Sequence, residues 1–256
     1  MTTQVDADLF DFANRIASEA ATLTLSWFQK PDLKIDLKED ATEVTDADKA
    51  VEEYLRNEIG KNFPHDTIIG EEEDMSHGSS ARKWIIDPID GTASFVRGVP
   101  LFSSLLALID DHGPAIGTIY LPALGEYIAA GRGLGALSSQ TIPAVSNVKK
   151  IKDSCISSSS FDMPWWPEKP LKAILSSGAK TRTWGDGYGY FLVATGQIDA
   201  MIDPSLYIYD IAPMLTVIPE CGGLITTWEG ESVLLDRNGW VATNTHLHDS
   251  ILELLQ

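Results

Sequence analysis

Two aspartates, Asp87 and Asp90, stand three residues apart in Trp84-Ile85-Ile86-Asp87-Pro88-Ile89-Asp90-Gly91-Thr92. The apolar run before them reads as a buried strand. A strand that ends in two carboxylates can hold a metal ion or supply a nucleophile. One large class of phosphatases places Asp-x-Asp-x-Thr after an apolar strand and uses the first aspartate as a covalent nucleophile. Here the spacing is one residue longer. Pro88 and Gly91 mark a tight turn, which lets the two carboxylates converge with the Ile89 carbonyl between them. These are hard oxygen donors of the kind Mg²⁺ prefers. Gly91-Thr92-Ala93-Ser94 then reads as the start of a short helix, whose free amides would face an anion.

A metal pair needs more carboxylates. Glu71 follows the preceding apolar stretch, at the head of Glu71-Glu72-Glu73-Asp74. Asp210 sits in Tyr209-Asp210-Ile211-Ala212-Pro213. Taken alone, Asp210 reads as the N-cap of the helix that follows before it reads as a ligand, and the acidic run reads as a solvated loop. The five histidines show no metal-ligand clustering, and His246 and His248 read as the start of a terminal helix rather than a zinc site.

Several elements must position these groups. Apolar residues at helical spacing predict a helix over 6–28 and a second over 47–63, the latter capped by Thr45-Asp46. Short strands are expected at 66–70 and 83–87, and successive strands between 103 and 131. The polar stretch 138–150 is the candidate boundary between an N-terminal α+β half, 1–140, and a C-terminal α/β half, 141–256. In the second half a strand near Cys155 is followed by a helix at 167–177 and a strand at 181–184. A helix at 188–196, a strand at 198–203, a helix at 211–223, a strand at 224–230 and a last helix from His246 complete it.

The 256 residues carry a formal net charge of -18, with 44% hydrophobic and 22% charged residues. That is an ordinary globular composition. Such an acidic surface repels nucleic-acid backbones and anionic lipids, and phosphate esters too unless cations intervene. No apolar run reaches the roughly 20 residues that span a bilayer, and the first ten residues lack the pattern of a secretory signal. Two distant cysteines, Cys155 and Cys221, point to a reducing cytoplasm.

Gly70-Glu71-Glu72, then Trp84 to Thr92, then Tyr209 to Pro213 ahead of Glu220-Cys221-Gly222-Gly223, resemble the inositol monophosphatase family. The resemblance runs from Val44-Thr45-Asp46-Ala47-Asp48 to Ala242-Thr243-Asn244. It implies a layered α/β/α/β/α sandwich and a Mg²⁺-dependent, lithium-sensitive phosphomonoesterase with two or three ions per site, often a homodimer. By position, Glu71, Asp87, Asp90, Asp210 and the Ile89 carbonyl would be metal ligands. Asp48 would hold a metal-bound water, Lys38 would lie near the site, and Thr92 and Glu71 would orient the attacking water. Gly91 and Thr92 would meet the phosphate. The family's usual tryptophan in the late motif is Tyr209 here, still an aromatic.

Gly185-Asp186-Gly187-Tyr188-Gly189-Tyr190 and Phe95-Val96-Arg97-Gly98-Val99-Pro100 resemble the histidinol-phosphate phosphatase branch. That substrate carries an ammonium and an imidazole. Asp186 could pair with the cation, as could Asp203, while Arg97 would anchor an acidic neighbour or close the pocket. Outside that setting, Gly187 and Gly189 would only shape a turn and Tyr188 and Tyr190 would pack as core. The rival readings are a broad inositol or polyol phosphatase of the same fold, a covalent aspartyl-phosphatase, and a catalytically silent metal-binding protein.

Overall fold

The helical spacing near the N-terminus becomes α1 (Ala7–Thr24), which starts where Asp6 accepts a hydrogen bond from the Leu9 amide at 3.0 Å. The computed structural model describes residues 3–38, 42–139, 142–162, 165–232, 234 and 236–256. α1 is shorter than the expected 6–28. Beyond Thr24 the amides of Leu25, Ser26 and Trp27 bond to carbonyls three residues back, and the chain leaves the helix as turns. An antiparallel ribbon, β1 (Ile35–Leu37) and β2 (Glu43–Thr45), leads into α2 (Asp46–Asn62). Thr45 and Asp48 cap α2 reciprocally, each side chain taking an amide of the other's turn.

The first sheet follows. Its strands are β3 (Thr67–Gly70), β4 (Lys83–Asp90), then, after the short α3 (Thr92–Val96), β5 (Ser103–Asp110), β6 (Gly113–Leu121), β7 (Glu126–Gly131) and β8 (Gly135–Ser138). They lie in sequence order, with β3 and β4 parallel and the remaining pairs antiparallel. The second half of the chain forms β9 (Cys155–Ser157), α4 (Glu168–Ser176), β10 (Lys180–Arg182) and α5 (Asp186–Ala194). It continues through β11 (Ala200–Leu206), α6 (Ile208–Ile211), α7 (Met214–Glu220), β12 (Gly223–Thr227), β13 (Asn238–Asn244) and α8 (His248–Leu255). The second sheet has the order β10-β9-β11-β13-β12.

Alternation along β5 explains the layering. Leu106 and Leu108 face one way, into Ile16, Ala20, Val51, Leu55 and Ile59 of α1 and α2. Leu105 faces the other way, with Ile119 and Ile128, into α5 and α7. Those two helices are covered in turn by Met201, Trp240 and Ala242 of the second sheet. The far face of that sheet, Ile156, Ile202 and Val241, is closed by Ile174 of α4 and by Ile251 and Leu255 of α8. The result is an α/β/α/β/α sandwich. Buried on both sides, α5 is apolar nearly all round, as a middle-layer helix must be. Among the described residues no helix is long and apolar enough to cross a membrane.

Two expectations are corrected. Gly187 and Gly189 do not shape a turn; they lie inside α5, which begins at Asp186 rather than Tyr188. A methyl group at Gly189 would stand 2.4 Å from the Trp184 carbonyl oxygen and 2.5 Å from Met201 Sδ, so glycine sets how closely α5 meets β11. The expected helix over 211–223 is two pieces, α6 and α7, separated at Ala212-Pro213. At that break the chain leans on β6, where a methyl group at Gly117 would lie 2.1 Å from the Pro213 carbonyl oxygen. Gly117→Ala should therefore force β6 and the α6–α7 joint apart, at a cost of about 1–3 kcal/mol read as a lower melting temperature.

Candidate active site

β4 does not turn between its two aspartates; it continues as strand through Asp90 with a register shift. Asp87 pairs with Leu105 and Asp90 with Ser103, so three steps on β4 match two on β5. This is a β-bulge. In a regular strand, residues three apart face opposite sides of the sheet. The extra residue cancels that half-period and turns both carboxylates to the same side. The expected tight turn at Pro88 is thus corrected to a bulge that does the same work.

Asp210 joins them from α6. Carboxylate oxygens of Asp87, Asp90 and Asp210 all lie within 4.8 Å of one another. Asp210 is not the N-cap the sequence suggested. It is the third residue of α6, where its Oδ2 accepts from the Tyr207 amide at 2.9 Å, which leaves Oδ1 for the cluster. Asp90 Oδ2 accepts from Ser103 Oγ at 2.6 Å and from the Gly187 amide. Asp87 is 1% exposed, and its Oδ1 is buried with no hydrogen-bond partner.

Three such carboxylates repel one another. Burial first, and then the charges of Glu71, Asp90 and Asp210, push the Asp87 carboxyl well above its ordinary range. Burial and the charge of Asp90 do the same to Asp210, and Asp90 is raised to about 6, chiefly by burial. A bound divalent cation removes this penalty. The donors are all oxygen, and the orphaned Asp87 oxygen needs a partner that no neighbouring residue supplies, so the residues present fit a hard cation.

Glu71 lies outside this triad. Its Oε1 accepts from Lys38 Nζ at 2.7 Å, and the same ammonium reaches Glu72 Oε1 at 2.8 Å. Burial would lower the Lys38 ammonium, but the charges of Glu71 and Glu72 override it and the group is held above its ordinary value. Ile89 is buried in the bulge, and its carbonyl accepts from Thr92 Oγ1 at 2.9 Å. Thr92 Oγ1 is also 3.5 Å from Asp48 Oδ1, while Asp48 Oδ2 is held by the Thr45 amide at 2.8 Å. Gly91 has φ 81°, and a methyl group there would stand 3.0 Å from Asp186 Oδ2. Asp186 thus reaches over the turn at Gly91, with its own backbone in the left-handed region at φ 55°. Burial, followed by the charges of Asp90 and Asp203, raises its carboxyl to about 8.

One expected substrate contact is not brought to the cluster. Arg97 is exposed, and its guanidinium pairs with Glu43 Oε1 at 2.8 Å, tying α3 to β2; it anchors an acidic neighbour and does not close the pocket. Asp203 is buried near Asp186, with Oδ1 accepting from the Ser159 amide at 2.8 Å and Ser158 Oγ at 3.2 Å, and Oδ2 from Tyr190 Oη at 3.1 Å. The protein takes three of its roughly four acceptor positions and leaves one on Oδ2.

Sequence reasoning missed the groups that hold this set in place. Glu52 is fully buried in α2 and accepts from the amides of Glu72 at 2.9 Å and Glu73 at 3.1 Å and from Arg56 Nε at 2.8 Å. It fixes the acidic loop through its backbone. A methyl group at Gly70 would lie 2.0 Å from Glu52 Oε1, so the glycine that opens Gly70-Glu71-Glu72 was the available signal. Ser103 and Gly187 were missed as partners of Asp90. A methyl group at Gly187 would stand 2.3 Å from Ser103 Oγ and 2.8 Å from Asp90 Oδ2.

The raised carboxyls set a sign for stability against pH. Burial holds Asp48 and Asp90 at about 6 and Glu72 at about 7. Ordinary carboxyls titrate near ~4, so the folded, metal-free protein keeps protons that the unfolded chain has released. The contribution of these groups is fully present below about pH 4 and is lost as the pH climbs toward about 7. Calorimetry in EDTA should show the melting temperature falling between about pH 5 and 7.5, and added Mg²⁺ should flatten that slope. A melting temperature that rises across this window in EDTA would mean the carboxylates are ionised and satisfied without metal.

The geometry can be set beside known proteins. A model of the inositol monophosphatase family matches residues 6–256. A histidinol-phosphatase of Mycobacterium tuberculosis is 38% identical over 249 residues, covering 94% of this chain and 95% of that protein. A histidinol-phosphatase of Streptomyces coelicolor is 34% identical over 255 residues, covering 95% of each. The crystal structure of the extragenic suppressor protein suhB from Bartonella henselae superposes with a TM-score of 0.88 at 26% identity, covering 98% of this chain and 99% of that one. With a family match across nearly its whole length and a buried carboxylate triad built for a cation, the chain belongs to the inositol monophosphatase family and is a metal-dependent phosphoric monoester hydrolase.

Proposed function

We propose that this enzyme hydrolyses L-histidinol phosphate to L-histidinol and inorganic phosphate, the chemistry of a step in histidine biosynthesis, with Mg²⁺ as its metal. The observation that carries the substrate choice is Asp186, whose carboxylate reaches over Gly91 beside the triad. A polyol gives such a group only hydroxyls to meet, whereas the ammonium of histidinol phosphate gives it a charge. The two histidinol-phosphatases above support the same reading. Free Cys155 and Cys221 accord with a cytoplasmic enzyme.

Asp87, Asp90, Asp210, Glu71 and the Ile89 carbonyl would hold two or three Mg²⁺, which when bound supply positive charge for the phosphate and the leaving oxygen and make a water more acidic. The remaining work falls to the chain. Thr92 Oγ1, whose proton goes to the Ile89 carbonyl at 2.9 Å, orients the attacking water through its lone pairs, with Asp48 Oδ1 3.5 Å away on the same side. Glu71 fixes that water from the other side, and Lys38 keeps its carboxylate in place. The leading amides at Gly91 and Thr92 receive phosphate oxygens. Asp186 pairs with the ammonium, and a cation there would draw its raised carboxyl down into the ionised form. Direct attack by water leaves no acyl-phosphate to trap.

The test compares kcat/KM on L-histidinol phosphate and inositol 1-phosphate at saturating Mg²⁺. A clear preference for histidinol phosphate is expected; equal rates or the reverse preference would make this a broad inositol or polyol phosphatase. Asp90→Asn should abolish turnover with the fold retained on circular dichroism, because the amide keeps the shape and loses the charge. Asp186→Asn should lower kcat/KM on histidinol phosphate about ten- to a hundredfold, the worth of one charge-assisted contact at roughly 1.5–3 kcal/mol, and lower it far less on an aryl phosphate. An equal fall on both esters would assign Asp186 to the fold or the metals instead.

A further inference from the structure

Next to the carboxylate cluster is a cavity of about 210 Å³ whose walls include Ser159, Trp165, Asp203, Pro204 and Leu206. Ser159 links its wall to Asp186. Ser159 Oγ accepts from the Asp186 amide at 3.0 Å, and the Ser159 amide donates to Asp203. A molecule whose phosphate rests at Gly91 and whose next group meets Asp186 would therefore extend into this space.

Its walls are selective in kind. Trp165 is 69% exposed, while its neighbour Trp166 is fully buried, donates from Nε1 to the Ser160 carbonyl at 2.6 Å and stacks on Phe161. Trp166 therefore anchors the segment, and the Trp165 indole is left as a flat apolar surface in water, an unfavourable state that a stacked ring would relieve. Pro204 and Leu206 continue the apolar wall. The polar groups are mostly engaged: Asp203 has three of about four acceptor positions taken by the protein, Ser160 Oγ is held by Asp162 at 3.0 Å, the Ser159 hydroxyl is directed at the Asp186 and Asp203 carboxylates, and Ser205 is exposed. Such a lining suits a planar ring with one or two nitrogen atoms and suits a polyol badly, since five hydroxyls would find few partners. Asp203 in the wall, with one acceptor position left on Oδ2, favours a ring that carries an N–H bond.

We propose that Trp165, Pro204 and Leu206 form the subsite for the imidazole ring of the substrate, with the ring stacked on Trp165. This rests on the histidinol phosphate reading and names the residues that would enforce it on the side away from the metals. The subsite is a specificity device, separate from the ammonium contact at Asp186.

The test uses L-histidinol phosphate and 2-aminoethyl phosphate, which keeps the phosphate and the ammonium but has no ring. The quantity read is the ratio of kcat/KM on the two esters. In Trp165→Ala that ratio should fall about tenfold, mainly through KM for histidinol phosphate, and in Trp165→Phe it should stay within about threefold of the wild type. Equal losses on both esters in Trp165→Ala would make Trp165 a structural residue and overturn the subsite. An unchanged ratio in Trp165→Ala would also overturn it, and the histidinol phosphate reading would stand if the wild type still prefers that ester to inositol 1-phosphate. A wild type without that preference would overturn the reading itself, and the subsite with it.

Discussion

Three carboxylates held within 4.8 Å of one another in a buried place are the constraint around which this molecule is arranged. Left to themselves they would swing apart or take up protons. They stay because each is held by its far oxygen or by its backbone: Asp90 by Ser103 and Gly187, Asp210 by Tyr207, Asp87 by the middle of a strand. The near oxygens are left facing one another. The protein thus stores an electrostatic conflict in its core and resolves it with a cation. The same pattern repeats one layer out, where buried Glu52 collects two amides and Arg56 so that Glu71 can approach the cluster without folding away.

This arrangement joins the two sheets. Asp90 belongs to β4 of the first sheet, and the Gly187 amide belongs to α5, which the second sheet covers. Asp186, one residue earlier, leans over Gly91 from the same helix. The carboxylate cluster and Asp186 therefore meet at one helix end. Close backbone approach makes this possible at Gly187, where any side chain would collide with the hydroxyl and carboxylate that Asp90 needs.

Much of this was legible in the residues. Asp87 and Asp90 stood out because carboxylates that end an apolar run are costly to bury unless a positive charge meets them, while Asp210 and Glu71, which alone read as a cap and a solvated loop, came from the family pattern. The layered fold followed from the family pattern. What was not legible depends on partners distant in sequence. The bulge read as a turn because Pro88 and Gly91 are turn residues, and only pairing with β5 shows the strand continuing. Glu52 drew no notice on α2, since nothing along the helix reports the space left by Gly70. Asp203 looked like a free carboxylate for an ammonium, and only the fold shows Ser158, Ser159 and Tyr190 taking three of its acceptor positions.

The bulge in β4 has a consequence for how this motif can vary. A strand has a phase: each residue added or removed inverts every side chain beyond it. Asp87 and Asp90 share a face only because the one unmatched residue shifts that phase by half a cycle. An inserted residue would leave two unmatched residues opposite β5, either as a larger loop or as a regular strand that sets the carboxylates four steps apart. A deleted residue would keep both on one side but straighten the strand, returning the Ile89 backbone to the ladder and removing the oxygen that lies between the carboxylates. Between the two aspartates the side chains can be exchanged, but their number cannot. The spacing is therefore a quantised property, held by the geometry of the strand itself more tightly than the identity of either residue between them.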